Sequence, residues 1–294
     1  MDGPLLPIFI FCLMMGMGLT LTLSDFRRIA QVPGPVVTGT LLQLVVMPVF
    51  GVGLALAYDL SPLLAVGLVV CSACPGGMGS NVFVHMGRAN IALSITLTAT
   101  STMVTLFTLP LWIRAIQAAL GNAAGDVEVP ILATALELGG FTVVPVAFGM
   151  LVRHVWPAAL RLERPLTGVG ILGLLAVLVY DSITRPDAPE QQFLESLAPV
   201  LWLVGLALVL GLGVPRLLGQ SFSDGVTIAT ELCVRNTLLG MVVVTTSFGV
   251  LEPSIPLIAY STAMSIPAVS ITIFHRRRVT RQLARSESGV VPPD

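Results

Sequence analysis

Long apolar stretches alternate with short polar ones along this chain. Nine apolar segments stand out, at about residues 4–23, 35–57, 62–86, 90–113, 130–152, 166–184, 194–214, 225–248 and 253–275. Each is about long enough to cross a ~30 Å hydrocarbon core at ~1.5 Å per helical residue. Backbone amides in lipid must find partners within the protein, so spanning segments are helices or closed barrels. The alternation over ~10-residue strands that a barrel needs is absent. The pattern predicts an all-α membrane protein with nine transmembrane helices.

Composition agrees. The 294 residues are 55% hydrophobic and 11% charged, with a mean hydropathy of +0.92. A soluble domain carries roughly 25% charged residues. All 15 basic residues are arginine. The lack of lysine excludes a P-loop lysine and Schiff-base chemistry. No basic stripe carries interleaved aromatics, so nucleic-acid binding has no support. Cys12, Cys71, Cys74 and Cys233 all fall in apolar runs and make no disulfide framework. Cys71 and Cys74, without a second ligand pair, read as packing residues. The start, Met-Asp-Gly-Pro, has no basic n-region. The first apolar stretch is therefore expected to be a span and not a cleaved signal.

Charge gives the orientation. Arg27, Arg28, Arg88, Arg153, Arg161, Arg164, Arg216, Arg276, Arg277, Arg278, Arg281 and Arg285 fall on one side of a nine-span topology. Arg114 and Arg185 fall on the other, and Arg235 lies within a span. The positive-inside rule then places the C-terminus in the cytoplasm and the N-terminus outside, in a cell inner membrane. Residues 276–294 read as a basic and then disordered cytoplasmic tail.

Two spans are unusual. The third holds Cys74-Pro75-Gly76-Gly77-Met78-Gly79-Ser80-Asn81. Proline removes a backbone donor and each glycine weakens a helix by about 1 kcal/mol relative to alanine, so the helix is expected to break. The eighth holds Glu231-Leu232-Cys233-Val234-Arg235-Asn236. Charged groups inside a span cost at least ~2.5 kcal/mol each on insertion scales and mark function by default. The structural alternative is a buried Glu–Arg pair that ties helices together. The two spans occupy corresponding places in the two halves of the chain. That points to an inverted-repeat transporter with its site near the midplane. Nine spans do not divide equally, so one half is expected to have lost a helix.

Three stretches resemble the bile acid:sodium symporter family. They are Gly16-Met17-Gly18-Leu19 through Ser24-Asp25-Phe26-Arg27, then Cys74 through Asn81 with Gly87-Arg88-Ala89-Asn90-Ile91-Ala92-Leu93-Ser94, then Glu231 through Asn236. The likeness is to members with nine helices, which lack the extra first helix of ten-helix members. It implies a crossed-broken-helix fold within one transporter domain, residues 1–275. A panel would comprise about 4–23 and 130–184, and a core about 35–113 and 194–275. It also implies sodium symport of a small organic anion, carboxylate or bile-acid-like, by alternating access, with no organic cofactor. Glu231 and Arg235 form no nucleophile–base pair with a Ser, Cys or His, so no enzymatic activity is expected.

The family's first sodium site maps to Ser80, Asn81, Ser94, Thr98 and Glu231. All offer oxygen, as a hard cation requires. Ser94 and Thr98 share a helix face at a spacing of four. The alternative for these two is a hydroxyl bond to the i−4 carbonyl. The second sodium site maps to Gln43, Glu231, the carbonyls of Leu232 and Val234, and Arg235, where the family has a glutamine. Guanidinium has no acceptor and stays charged, so Arg235 cannot ligate sodium. Three roles are open to it: replacing the second sodium, neutralising Glu231 so that coupling is lost, or clamping the substrate carboxylate. In the first, Glu231, one sodium and Arg235 sum to the same +1 that one glutamate and two sodium ions give in the family. An Arg235–Glu231 attraction at about 4 Å would contribute roughly 4 kcal/mol. Asn81, Asn236, Arg235 and Glu137 are the substrate-binding candidates. Asp181 and the tryptophans Trp112 and Trp156 read as interfacial residues. A sodium-independent carrier or exporter of the same fold is the alternative function, and sodium dependence separates the two.

Overall fold

Prolines and glycines decide where the apolar segments stop and bend. The protein is represented by a computed structural model that describes residues 5–20, 22, 33–120, 131–170, 172–173 and 189–287. The Ser24–Arg28 stretch and Asp181 lie outside the described residues, as does the side chain of Glu137.

Helix α1 is Leu5–Thr20 and α2 is Pro33–Ala57. Helix α2 contains one wide turn at Leu42–Val46. Pro48 has no N–H, so the carbonyl of Leu44 loses its helical donor. Trp112 replaces it, its indole Nε1 donating to Leu44 O at 3.0 Å. Trp112 is thus a helix-to-helix tie and not the interfacial anchor expected of it. The wide turn also carries Gln43 into the interior.

The third span is broken as expected, into α3 (Pro62–Ala73) and α4 (Met78–Met86). Helix α5 runs over Ile91–Leu120 and bends by 58° about residue 106, one turn before Pro110. Helix α6 is Ile131–Val155, followed by helical turns over 163–170. Helix α7 spans Pro189–Leu217. The eighth span is also broken, into α8 (Phe222–Cys233) and α9 (Thr237–Phe248). Helices α10 (Ile255–Ala263) and α11 (Ser265–Glu287) meet at a kink, where Pro267 cannot donate to the carbonyl of Ala263. Helix α11 continues well past residue 275, where the apolar segment ends. No glycine or proline interrupts residues 268–287, so the basic segment stays helical.

Among the described residues three helices, Pro33–Ala57, Glu190–Leu217 and Glu252–Ala284, are each long and apolar enough to cross a membrane, with bent α5 as a fourth. Helices α3 and α8, at 12 residues each, reach only about 18 Å and need a second helix to complete a crossing. Both start the same way. Asp59 and Gly219 adopt left-handed φ values of 48° and 70°, which ends the preceding helix. Two residues on, Ser61 and Ser221 cap the new one, accepting from Leu64 N–H at 3.4 Å and Asp224 N–H at 3.0 Å.

Helices α1 and α6 pack backbone to backbone. A Cβ at Gly18 would strike the Val146 main chain, and one at Gly149 would strike that of Met15. Glu163, Thr167, Gly170 and Gly173 also pack on α1, with Gly170 against Leu13. The broken helices share one apolar core with α2, α5, α7 and α10, and Leu13, Met17 and Val146 of the α1–α6 pair belong to it as well. Leu68, Val69, Leu97, Ile228, Val243 and Leu257 are buried in it.

Candidate functional site

The two breaks touch. Gly77 N–H donates to Val234 O at 2.8 Å, and Asn236 N–H donates to Pro75 O at 2.9 Å. Gly76 and Arg235 thereby pair as a one-residue antiparallel bridge. Backbone groups that left their helices satisfy one another there, as membrane depth demands. Gly76 cannot carry a side chain, because its Cβ would run into Glu231 Oε2. Asn236 caps α9 by accepting from Leu239 N–H at 3.0 Å.

Glu231 sits in the last turn of α8 and is 1% exposed. Ser80 Oγ donates to its Oε1 at 2.6 Å, and Thr98 Oγ1 donates to its Oε2 at 3.0 Å. Ser94 Oγ lies within bonding reach of both Glu231 Oε1 and Asn81 Oδ1, the latter at 2.8 Å. All five residues expected at one ion site therefore converge. Their neighbours on α5 behave otherwise. Thr96 and Thr100 bond the i−4 carbonyls at 2.8 Å each, while Ser94 and Thr98 turn to the carboxylate. A hydroxyl rotor can donate to a carboxylate or turn a lone pair to a cation, so this shell suits a small hard ion.

Arg235 is 2% exposed. Its Nη1 donates to Ser72 O and Cys74 O at 2.7 Å each, and its Nε donates to Leu232 O at 3.1 Å. Among the described residues no ion pair joins it to Glu231, so the attraction at about 4 Å expected from sequence is not present. The reason is local. Helices α3 and α8 end here, and their last carbonyls lack helical donors and carry the negative end of each helix dipole. The guanidinium fork spreads over those carbonyls while three hydroxyls satisfy Glu231. The carbonyls of Leu232 and Val234, expected from the resemblance at a second cation site, are accordingly engaged. Leu232 O accepts from Arg235 and from Tyr260 Oη at 3.2 Å, and Val234 O accepts from Gly77 N–H. Gln43 is fully buried with neither amide atom bonded, as is Arg235 Nη2.

A cavity of about 560 Å³ opens beside the crossing. Asn81, Thr98, Arg235 and Asn236 line one wall, and Thr20, Glu163 and Thr167 belong to the other. The last three were not singled out from sequence. Glu163 stands between Arg161 and Arg164 in what reads as a polar connection, and only the packing of 163–170 on α1 turns it to the cavity.

Interrupted helices that cross beside a polar cluster, with a cavity alongside, define the class as a helical multi-pass membrane protein. The chain belongs to the sodium bile acid symporter family, whose sequence profile matches residues 7–184. It is similar to a probable chloroplastic sodium/metabolite cotransporter, BASS1, of Oryza sativa subsp. japonica, with 30% identity over 255 residues, 86% of this chain and 61% of that protein. The chain thus spans less than two thirds of that relative's length. The sodium-dependent transporter YocS of Bacillus subtilis is 27% identical over 284 residues, 96% of this chain and 86% of YocS. The ileal sodium/bile acid cotransporter of Mus musculus is 29% identical over 83% of this chain and 69% of its own.

Proposed function

We propose that the protein couples one sodium ion to the symport of a small organic anion by alternating access. The observation that carries this reading is the buried Glu231 carboxylate, met at the crossing by the hydroxyls of Ser80, Ser94 and Thr98. With Asn81 these residues would hold sodium. Arg235 would stand in for a second ion, since its guanidinium already bridges carbonyls from both broken helices. The relatives' names, a sodium/metabolite cotransporter and a sodium/bile acid cotransporter, support sodium coupling and are compatible with an organic-anion substrate. The anion would occupy the cavity near Asn81, Asn236 and Arg235, with Glu137 a further candidate.

The matched left-handed turns and serine caps ahead of α3 and α8 support an inverted repeat within a nine-helix fold. The tight α1–α6 contact supports a panel (4–23 and 130–184) that moves against a core (35–113 and 194–275). The arginine bias supports a cytoplasmic C-terminus, an outside N-terminus and an inner-membrane location.

The test is uptake of a panel of organic acids into proteoliposomes across a sodium gradient. The expected Hill slope for sodium is near one, with no net charge moved for a monoanion. A slope near two in the wild type would remove Arg235 from its assigned role. Uptake indifferent to sodium would favour the carrier or exporter reading, for which the direct hydroxyl–carboxylate bonds supply a closed site without an ion.

A further inference from the structure

Away from the crossing, positive charge gathers where α7 ends, α8 begins and α11 emerges from its apolar part. Arg216 lies in the last turn of α7, and Arg278 projects from α11. Both are exposed, and both line a cavity of about 240 Å³ that also borders Ser221 and Phe222. The Arg278 guanidinium carbon lies 4.2 Å from the centre of the Phe222 ring, and His275 stacks against that ring with centroids 5.8 Å apart. The ring fixes the face of the guanidinium and leaves its edge N–H donors free. Arg276, Arg277 and Arg281 carry the charge further along the exposed side of α11.

Among the described residues none of these five arginines forms an ion pair. The carboxylate next to the cavity, Asp224, is already satisfied. Its Oδ1 accepts from Asn90 Nδ2 at 2.8 Å and its Oδ2 from Ser221 Oγ at 2.7 Å. Two like charges therefore face one cavity, and among the described residues neither is engaged in an ion pair. Leu217 and Leu218 directly follow Arg216, and the Phe274 ring meets Phe222 edge-on with centroids 6.5 Å apart; the three are 87%, 61% and 60% exposed. Exposed leucines at the end of an apolar helix suit acyl chains, and a paired guanidinium fork suits phosphate oxygens.

We infer that the Arg216–Arg278 pocket binds the phosphate of an anionic phospholipid, with the lipid's chains lying over Leu217, Leu218 and Phe274. The lipid, and not free phosphate, is the ligand that satisfies both the cationic pocket and its apolar rim. The site shares no residue with the crossing, so the inference stands apart from the proposed transport cycle.

The experiment compares the full-length wild type with the R216Q/R278Q variant in nanodiscs of phosphatidylcholine with and without phosphatidylglycerol. Retained lipid is read by native mass spectrometry and stability by thermal unfolding. Phosphatidylglycerol is expected to stay bound to the wild type and raise its Tm. The double variant is expected to lose affinity on the order of 10- to 30-fold while keeping its Tm in pure phosphatidylcholine. Equal retention by wild type and variant would overturn the inference. So would stabilisation of the wild type by millimolar inorganic phosphate that equals the effect of phosphatidylglycerol. Should the double variant not purify, R278Q and F222L each carry the same expectation at smaller size.

Discussion

The two broken helices reach one geometry by opposite chemistry. The first break, Cys74 to Gly77, is made by the backbone: Pro75 withholds a donor, and Gly76 and Gly77 add no bulk. The second, Val234 to Asn236, contains neither proline nor glycine and is held open by side chains. Arg235 takes the loose carbonyls of both helices, and Asn236 starts the next helix as its cap. The asymmetry is functional in a physical sense. One break is thin so that the other can be thick: the space a side chain at Gly76 would need is filled by the Glu231 carboxylate. What the breaks share lies upstream, in the left-handed turns at Asp59 and Gly219 and the serine caps that follow them.

The comparison can be broken from the thick side first. Glu231→Gln removes the only charge in the oxygen cluster, and sodium affinity should fall on the order of 100-fold, about 3 kcal/mol, measured by sodium-dependent thermal shift. An unchanged sodium response would place the ion elsewhere. Arg235→Gln strips donors from Ser72 O and Cys74 O. Stability without sodium should drop by about 2–3 kcal/mol and be partly recovered by sodium, with the uptake Hill slope rising towards two. Loss of substrate affinity with an unchanged slope would instead favour the clamp role.

The thin side comes next. Gly76→Ala should destabilise by about 1–3 kcal/mol through overpacking against Glu231, read as a lowered Tm. An alanine there without effect would mean that the breaks do not press together. Ser94→Ala should weaken sodium binding by about tenfold, whereas Thr96→Ala, whose hydroxyl returns to Ala92 O, should leave it within about twofold. Equal losses would dissolve the distinction between the two hydroxyl pairs. Smallest of all, Glu163→Gln should lower the KM for dianionic substrates by a few-fold and alter monoanions less, through removal of a like charge roughly 0–1 kcal/mol in strength. An unchanged dianion-to-monoanion ratio would take Glu163 off the substrate path.

Much of this was written in the chain itself. Backbone amides cannot stay unpaired in lipid, so runs of about twenty apolar residues dictate helices, and Pro75 with its glycines dictates a break. The set of Ser80, Asn81, Ser94, Thr98 and Glu231 was nominated through the family resemblance, since residue type and spacing alone leave the hydroxyls free to bond their own helix, and the fold brings the five side chains together. Packing alone decided the rest. Sequence adjacency brings Glu231 and Arg235 together as a pair, yet the folded protein sends them to different partners, because the carbonyl ends of two separate helices converge on the guanidinium. The roles of Trp112, Thr20 and Glu163 were equally hidden, since each depends on contacts between segments distant in the chain. Local pattern specifies which groups a helix must present, but the meeting of helix ends determines which of those groups find each other.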